Sequence, residues 1–161
     1  MNFEKLTNQL QKSIGNAQSI ALGQDHTQIE PCHVLLAMLD NVEGGTSAIF
    51  EKAGFKVSEI KLKLNDEIKS LPSLKSPSGE ISVSSSLIKI FNLADRSAQK
   101  KNDRFISTEV FLEAMIDEKG KIANLLSNLG DLMELRKVLT DIRGSGTVDN
   151  PNVENERQSL S

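Results

Sequence analysis

A thiol beside an imidazole is the strongest hint of chemistry in this sequence. Cys32 is followed directly by His33, and His26 precedes His33 by seven residues. A thiolate nucleophile needs its base within hydrogen-bond reach. Neighbouring positions on a helix project about 100° apart, so Cys32 and His33 do not face each other. The pair is expected to be a small buried thiol next to a first-turn histidine. Taken as metal ligands, His26, Cys32 and His33 lack a fourth partner at a useful spacing, so no metal is expected. Gly120-Lys121 resembles the end of a phosphate loop, but the upstream glycine is missing and Ile122 stands where the loop needs a hydroxyl. No nucleotide hydrolysis and no enzymatic activity are expected of this segment. A small hydrolase working through Cys32 is the enzymatic alternative, and it requires a depressed thiol pKa.

Three polar residues have ordinary local explanations. Asp103 follows Asn102 in a turn, where Asx side chains bond the nearby backbone. Glu109 lies in the first turn after Ser107, where an acid complements the helix dipole by about 0.3–1 kcal/mol. Thr7, early in the first helix and just off its core stripe, is expected to be exposed. The helix from Ser86 to Lys101 carries Leu87, Phe91, Ala94 and Ala98 as its core stripe. Ile90 and Leu93 lie on a neighbouring arc, which Ser97 continues. That arc is either part of a wide buried face or one wall of a shallow apolar groove.

The elements that must position these residues come from a repeat. I-E-P-C-H-V-L-L-A-M-L-D at Ile29 to Asp40 returns as I-S-T-E-V-F-L-E-A-M-I-D at Ile106 to Asp117, 77 residues on. Ile29/Ile106, Leu35/Leu112, Ala37/Ala114, Met38/Met115 and Asp40/Asp117 agree. Leu87, Phe91, Ala94 and Ala98 repeat Leu10, Ile14, Ala17 and Ala21. A repeat this long implies a duplicated bundle rather than a solenoid. The fold class expected is all-α, with about eight helices in two pseudo-twofold repeats of four.

Helix one is expected over Phe3 to Leu22 with Gly23 as its cap, and helix two from Pro31, whose missing N–H costs nothing at a first helical position. After the break at Gly44-Gly45, helices follow over Ser47 to Ala53 and Ser58 to Leu71. In the second repeat they follow over Ile122 to Leu129, closed by Gly130, and Asp131 to Ile142. The repeats span about 3–71 and 85–143. Residues 72–84, rich in Ser and Pro, form the connection, with a short extended piece at Ile81 to Val83. Residues 144–161 have no apolar period and are expected to form a flexible linker toward something absent, which makes the chain a fragment.

The bulk numbers agree with a single domain. At 161 residues the chain can bury one core, and with six Phe and no Trp or Tyr that core must be aliphatic. A net charge of −3, mixed along the chain, gives no footprint for nucleic acid. No stretch is long and apolar enough to span a membrane, and the start lacks the pattern of a signal peptide. The single cysteine is compatible with a reducing cytosol.

The motifs F-E-K-L-T-N-Q-L-Q, A-Q-S-I-A-L-G-Q-D, E-P-C-H, N-L-A-D-R-S-A-Q-K-K-N-D-R-F-I-S and N-E-R-Q-S-L, in this order and with the internal repeat, resemble the Clp N-terminal repeat domain, most closely that of ClpB-type protein disaggregases. The resemblance covers essentially the whole chain. It implies a tethered, non-enzymatic domain that binds unfolded or aggregated polypeptides. It also implies a bacterial cytoplasmic, hexameric machine that works with the DnaK chaperone system. ATP and Mg belong to AAA+ modules absent from this chain, and the isolated domain is implied to be monomeric. Carried over residue by residue, it assigns substrate binding to Thr7, Asp103 and Glu109, and to an apolar groove at Leu93 and Val110. Where the family often has a leucine in that groove this chain has Ser97, which implies a smaller, more polar groove. The alternatives are an adaptor-docking domain of a protease-linked Clp unfoldase and a spacer without a binding role.

Overall fold

In the computed structural model, residues 2–74 and 80–159 are described. Part of the expected connection, 75–79, lies outside them. The chain starts with a 3₁₀ turn at Phe3–Lys5, followed by α1 (Asn8–Gly23), β1 (Gln28–Ile29), α2 (Pro31–Asp40), a second 3₁₀ turn at Val42–Gly44, α3 (Thr46–Lys52) and α4 (Val57–Ser70). Then come β2 (Ser82–Val83), α5 (Ser85–Lys100), α6 (Thr108–Asp117), α7 (Lys121–Ser127), α8 (Leu132–Arg143) and α9 (Val153–Ser159). The class is all-α, with α1–α4 and α5–α8 as the two repeats. The ninth helix lies in the segment expected to be a linker.

Local chemistry sets most boundaries. Pro31 occupies the first turn of α2. The Ser84 hydroxyl caps α5 by accepting from Leu87 N–H at 3.1 Å, and Asp131 caps α8 through Met133 N–H at 2.9 Å. Gly54 takes φ +88° after α3, a conformation that costs other residues a steric penalty. Helix one starts later than its apolar spacing predicts. Leu6 turns extended after the 3₁₀ turn in order to bridge Ile106 in the second repeat. Gly23 ends inside α1, and the left-handed residue beyond it is Asp25 (φ 57°), matched 77 positions on by Asn102 (φ 61°). Asp and Asn tolerate that conformation better than other side chains.

The repeat is visible in the backbone bonds. Ser84 N–H donates to Ile29 O at 3.1 Å, and Thr7 N–H donates to Ile106 O at 3.0 Å. The shift that maps Ile29 to Ile106 maps Thr7 to Ser84, so each bond is the image of the other. The short parallel pair β1–β2 pairs Ile29 with Val83, and the bridge Leu6–Ile106 is its counterpart. The extended piece predicted near Ile81 to Val83 is thus half of an inter-repeat contact.

Around these bridges the predicted stripes close into one aliphatic core. Leu10, Ile14, Ala17 and Ala21 are buried with Leu87, Phe91, Ala94 and Ala98, and Leu35, Ala37 and Met38 with Leu112, Ala114 and Met115. Ile90 is buried in the same core, so it belongs to the wide inner face of α5 rather than to a groove. Phe50 and Phe55 pack edge to face with ring centroids 5.4 Å apart. Gly130 lies directly against the Phe55 ring, and a Cβ there would sit 2.6 Å from Cε2. The Phe55 ring is itself buried against Phe50, so it must shift within the core to make room. Gly130→Ala is expected to cost about 1–3 kcal/mol as overpacking, measured by chemical denaturation.

His26 and His33 form a buried chain. Glu30 N–H donates to His33 Nδ1 at 2.8 Å. A neutral imidazole then carries its proton on Nε2, which faces His26 Nδ1 at 2.9 Å. An added proton has no acceptor in this chain. Burial first, then His26, lowers His33 from the ordinary 6.5 to about 4. The neutral form is favoured in the folded state, so its contribution is full above 6.5 and is lost as pH falls toward about 4. His33→Gln retains a capping-box side chain but does not titrate. Thermal unfolding followed across that window should fall more steeply with acid for the parent than for this variant.

Candidate functional site

The six residues assigned to binding from sequence fall into two groups. Thr7, Asp103 and Glu109 are covered by the segment after Arg143. Leu93 and Ser97 lie on the outer side of α5, and Val110 lies between the groups. The covering segment, expected to be a flexible linker, is seated on the domain: Val148 is 2% exposed and Glu154 4%.

Asp103 is the anchor of that segment. Its carboxylate, with a wholly buried side chain, accepts a two-pronged hydrogen bond from the Arg143 guanidinium at the end of α8. It also accepts from Val148 N–H at 2.9 Å. Arg104 N–H donates in turn to Val148 O at 2.8 Å. Hydrogen bonding to Asp103, opposed by burial, raises Arg143 above its ordinary range. The turn at Asn102 therefore presents Asp103 to Arg143 and to the returning chain, rather than bonding it to its own turn.

At the start of α6, Thr108 N–H donates to the Glu154 carboxylate at 3.1 Å. Glu109 pairs with Arg157, with Nη1 to Oε2 at 2.9 Å and Nη2 to Oε1 at 2.8 Å. Burial would lower Arg157, yet the carboxylates of Glu109 and Glu154 leave it raised. Burial raises Glu154, against the pull of the Thr7 hydroxyl and Thr108 N–H. Thr7 is wholly buried at the start of α1, not exposed. Its hydroxyl makes no hydrogen bond of ordinary geometry, nor does that of Ser107. Ser107 holds the predicted N-cap position of α6 without capping through its side chain. Asn8 N–H donates to Pro151 O at 2.8 Å, so the segment closes the first turn of α1 as well.

The predicted groove is divided. Leu93 and Ser97, both half-buried, line a depression of about 220 Å³ with Arg96, Lys100, Glu113 and Asp117. Val110, only 3% exposed, lies under a separate hollow of about 580 Å³ bounded by Leu139, Arg143 and residues 144–147. Glu113 forms the wall between them. Lys101 crosses there, 2.9 Å from Ser97 Oγ and 4.0 Å from Glu113. A leucine at position 97 would have no hydroxyl for Lys101 to bond.

Arg143, Val148, Glu154 and Arg157 were not singled out by sequence pattern. Their segment has one buried apolar side chain and no repeat partner. The available signal was Asn150-Pro151 opening a turn, with acid and base three residues apart at Glu154 and Arg157. Cys32 is buried and its thiol is pushed up to about 12, chiefly by burial and then by Glu67 and Glu30. That shift is opposite to the one a nucleophile needs. Among the described residues no three His, Cys, Asp or Glu side chains gather as metal ligands. No helix among them is long and apolar enough to cross a membrane. Asp103→Ala would remove both prongs from the half-buried Arg143 guanidinium, leaving it the Gly146 carbonyl, and would leave the Val148 amide without its acceptor. The expected cost is about 1–3 kcal/mol by denaturation, with faster amide exchange at Val148 than in α2.

Residues 5–129 match the family model described as the Clp repeat (R) N-terminal domain. The chaperone protein ClpB of Pseudomonas putida is 37% identical over 161 residues, a match covering 99% of this chain and 19% of that relative. The chain thus spans about a fifth of the length of the curated relatives it matches. The Hsp104 N-terminal domain from Candida albicans superposes with a TM-score of 0.82 at 20% identity, covering 93% of this chain and 99% of that one. A ClpV N-domain solved in complex with a VipB peptide has a TM-score of 0.68 at 17% identity, covering 86% of this chain and 89% of that one. The family match runs from the start of the chain through α7 and includes the bridges that join the repeats, and the chain belongs to the Clp repeat N-terminal domain family.

Proposed function

We propose that this chain is the non-enzymatic client-recognition domain of a ClpB-type disaggregase, binding unfolded or aggregated polypeptide weakly and passing it to an ATP-driven hexameric ring. The observation that carries the proposal is the alignment of nearly the whole chain with ClpB chaperones. In this proposal ATP and Mg act in the AAA+ modules of the longer protein, which works with the DnaK system in the bacterial cytoplasm.

The surface geometry supports the expected direct role for two of the six residues and an indirect one for the other four. Leu93 and Ser97 are accessible enough to touch a client directly. Their depression combines apolar and charged walls, which suits contact with mixed sequences. Thr7, Asp103, Glu109 and Val110 are buried, so they act on client binding through the segment above them. A depression covering a few hundred Å² yields modest transfer energy at ~25 cal/mol/Å². Association costs at least ~4 kcal/mol, so each domain holds its client weakly. Six copies on one ring would compensate through avidity.

An adaptor-docking domain is the second reading, favoured by the ClpV N-domain that binds a VipB peptide. Backbone NMR titration with an unfolded, aggregation-prone protein separates the two. Shifts centred on Leu93 and Ser97, weakened several-fold by Leu93→Ser with no change in melting temperature, are the expected result. Equal binding by parent and variant, or binding only of a folded adaptor, would overturn client recognition by this surface.

A further inference from the structure

The two repeats finish the start of their second helix differently. Before α2, Glu30 holds the N-cap position and forms a capping box with His33. The residues 77 positions on are Ser107 and Val110. Helix α6 therefore carries neither the carboxylate nor the side-chain partner of its counterpart. A carboxylate is nevertheless present there, on Glu154, bound to Thr108 N–H from 46 residues down the chain.

The surroundings are built for such a guest. Thr7 and Ser107 are both wholly buried; the Ser107 hydroxyl has no hydrogen-bond partner, and the Thr7 hydroxyl, though it makes no bond of ordinary geometry, is close enough to favour the ionised Glu154. A helix N-terminus favours negative charge, and the Thr7 and Ser107 hydroxyls beside it extend that preference. One turn along α9, Arg157 meets the Glu109 carboxylate. The site thus recognises an acid and, three residues later, a guanidinium.

The guest is held loosely. Helix α9 has seven residues, too few to be stable alone. Its route passes through Gly144 at φ 67° and Gly146, and among the described residues Val148 is its one buried apolar anchor. Glu154 has one carboxylate oxygen buried without a hydrogen bond. An incompletely satisfied buried charge is costly to keep in place.

We infer that the start of α6 is a carboxylate-accepting peptide site, that residues 148–157 are its built-in occupant, and that a helical peptide bearing Glu and, three residues on, Arg binds there when this segment is displaced. The occupant acts as a latch, and ligands of this class compete with it. The inference goes beyond client recognition at Leu93 and does not depend on it.

The test uses the full chain and a synthetic peptide, T-V-D-N-P-N-V-E-N-E-R-Q-S, which copies residues 147–159. In the double variant Glu154→Ala, Arg157→Glu, amide exchange should show 148–157 released while the middle of α6 remains protected. NMR titration should then shift the amides of Thr7, Ser107, Thr108 and Glu109. The parent, whose own segment fills the site, should bind at least about tenfold more weakly. A peptide with alanine for both Glu154 and Arg157 should not bind. Equal affinity for parent and variant, or no shifts in a variant whose segment is released, would overturn the inference. A second measurement needs no variant: excess peptide should accelerate amide exchange at 148–157 of the parent, and unchanged exchange would also overturn it. Unfolded-protein titration of the same samples reports separately on Leu93, so failure of one reading leaves the other intact.

Discussion

Two backbone bridges hold the repeats in register, and most of the structure follows from them. Ile29 pairs with Val83 and Ile106 with Leu6. Each repeat therefore begins its first helix against the segment that begins the second helix of the other. Neither half can satisfy these extended peptides alone, since a buried N–H or C=O without a partner costs about as much as a lost hydrogen bond. The same crossing places Thr7 beside Ile106 and, from there, beside the start of α6. The polar cluster is thus a product of the duplication: it stands where the end of one repeat's first turn meets the head of the other's second helix.

The duplication also explains why the halves have diverged at that point. In the first repeat the position equivalent to Asp103 is His26, which bonds His33 inside the bundle. In the second repeat Asp103 is an anion, and it draws in Arg143 and the returning backbone at Val148. One half buries a hydrogen-bonded histidine pair, and the other buries charges that must be matched from elsewhere. The segment after α8 provides the match with Arg157 on Glu109, and Glu154 on the helix head. A stretch whose composition resembles a linker is ordered by electrostatics and by one valine, not by an apolar face.

This arrangement alters how polar residues in the domain act. Thr7, Asp103 and Glu109 lie beneath a layer of the chain itself, so changing any of them alters how that layer is held. Leu93 and Ser97 stand apart on α5, separated from Val110 by Lys101 and Glu113. Effects at the two places are connected through Glu113, which borders both hollows, and through the 144–147 turn above the larger one. The proposed client face and the seat of residues 148–157 are therefore neighbours on α5 and α6.

The sequence by itself determined the all-α class, the duplication and its 77-residue shift, the two core stripes, the extended piece before α5 and the burial of Cys32. These follow from periodicity and from local capping chemistry, which act over a few residues and leave their mark in every turn. Tertiary structure decided the late start of α1, the placement of Ile90 in the core, the division of the groove and the seating of residues 148–157. The late start of α1, the divided groove and the seated segment depend on partners outside their own turns: Ile106 for Leu6, Glu113 for the groove beside Ser97, and Asp103, Thr108 and Glu109 for the last segment. Spacing carries no trace of such pairs, because a single ion pair or bridge has no period. A polar residue at a helix start has the same sequence signature whether water or a distant carboxylate completes it.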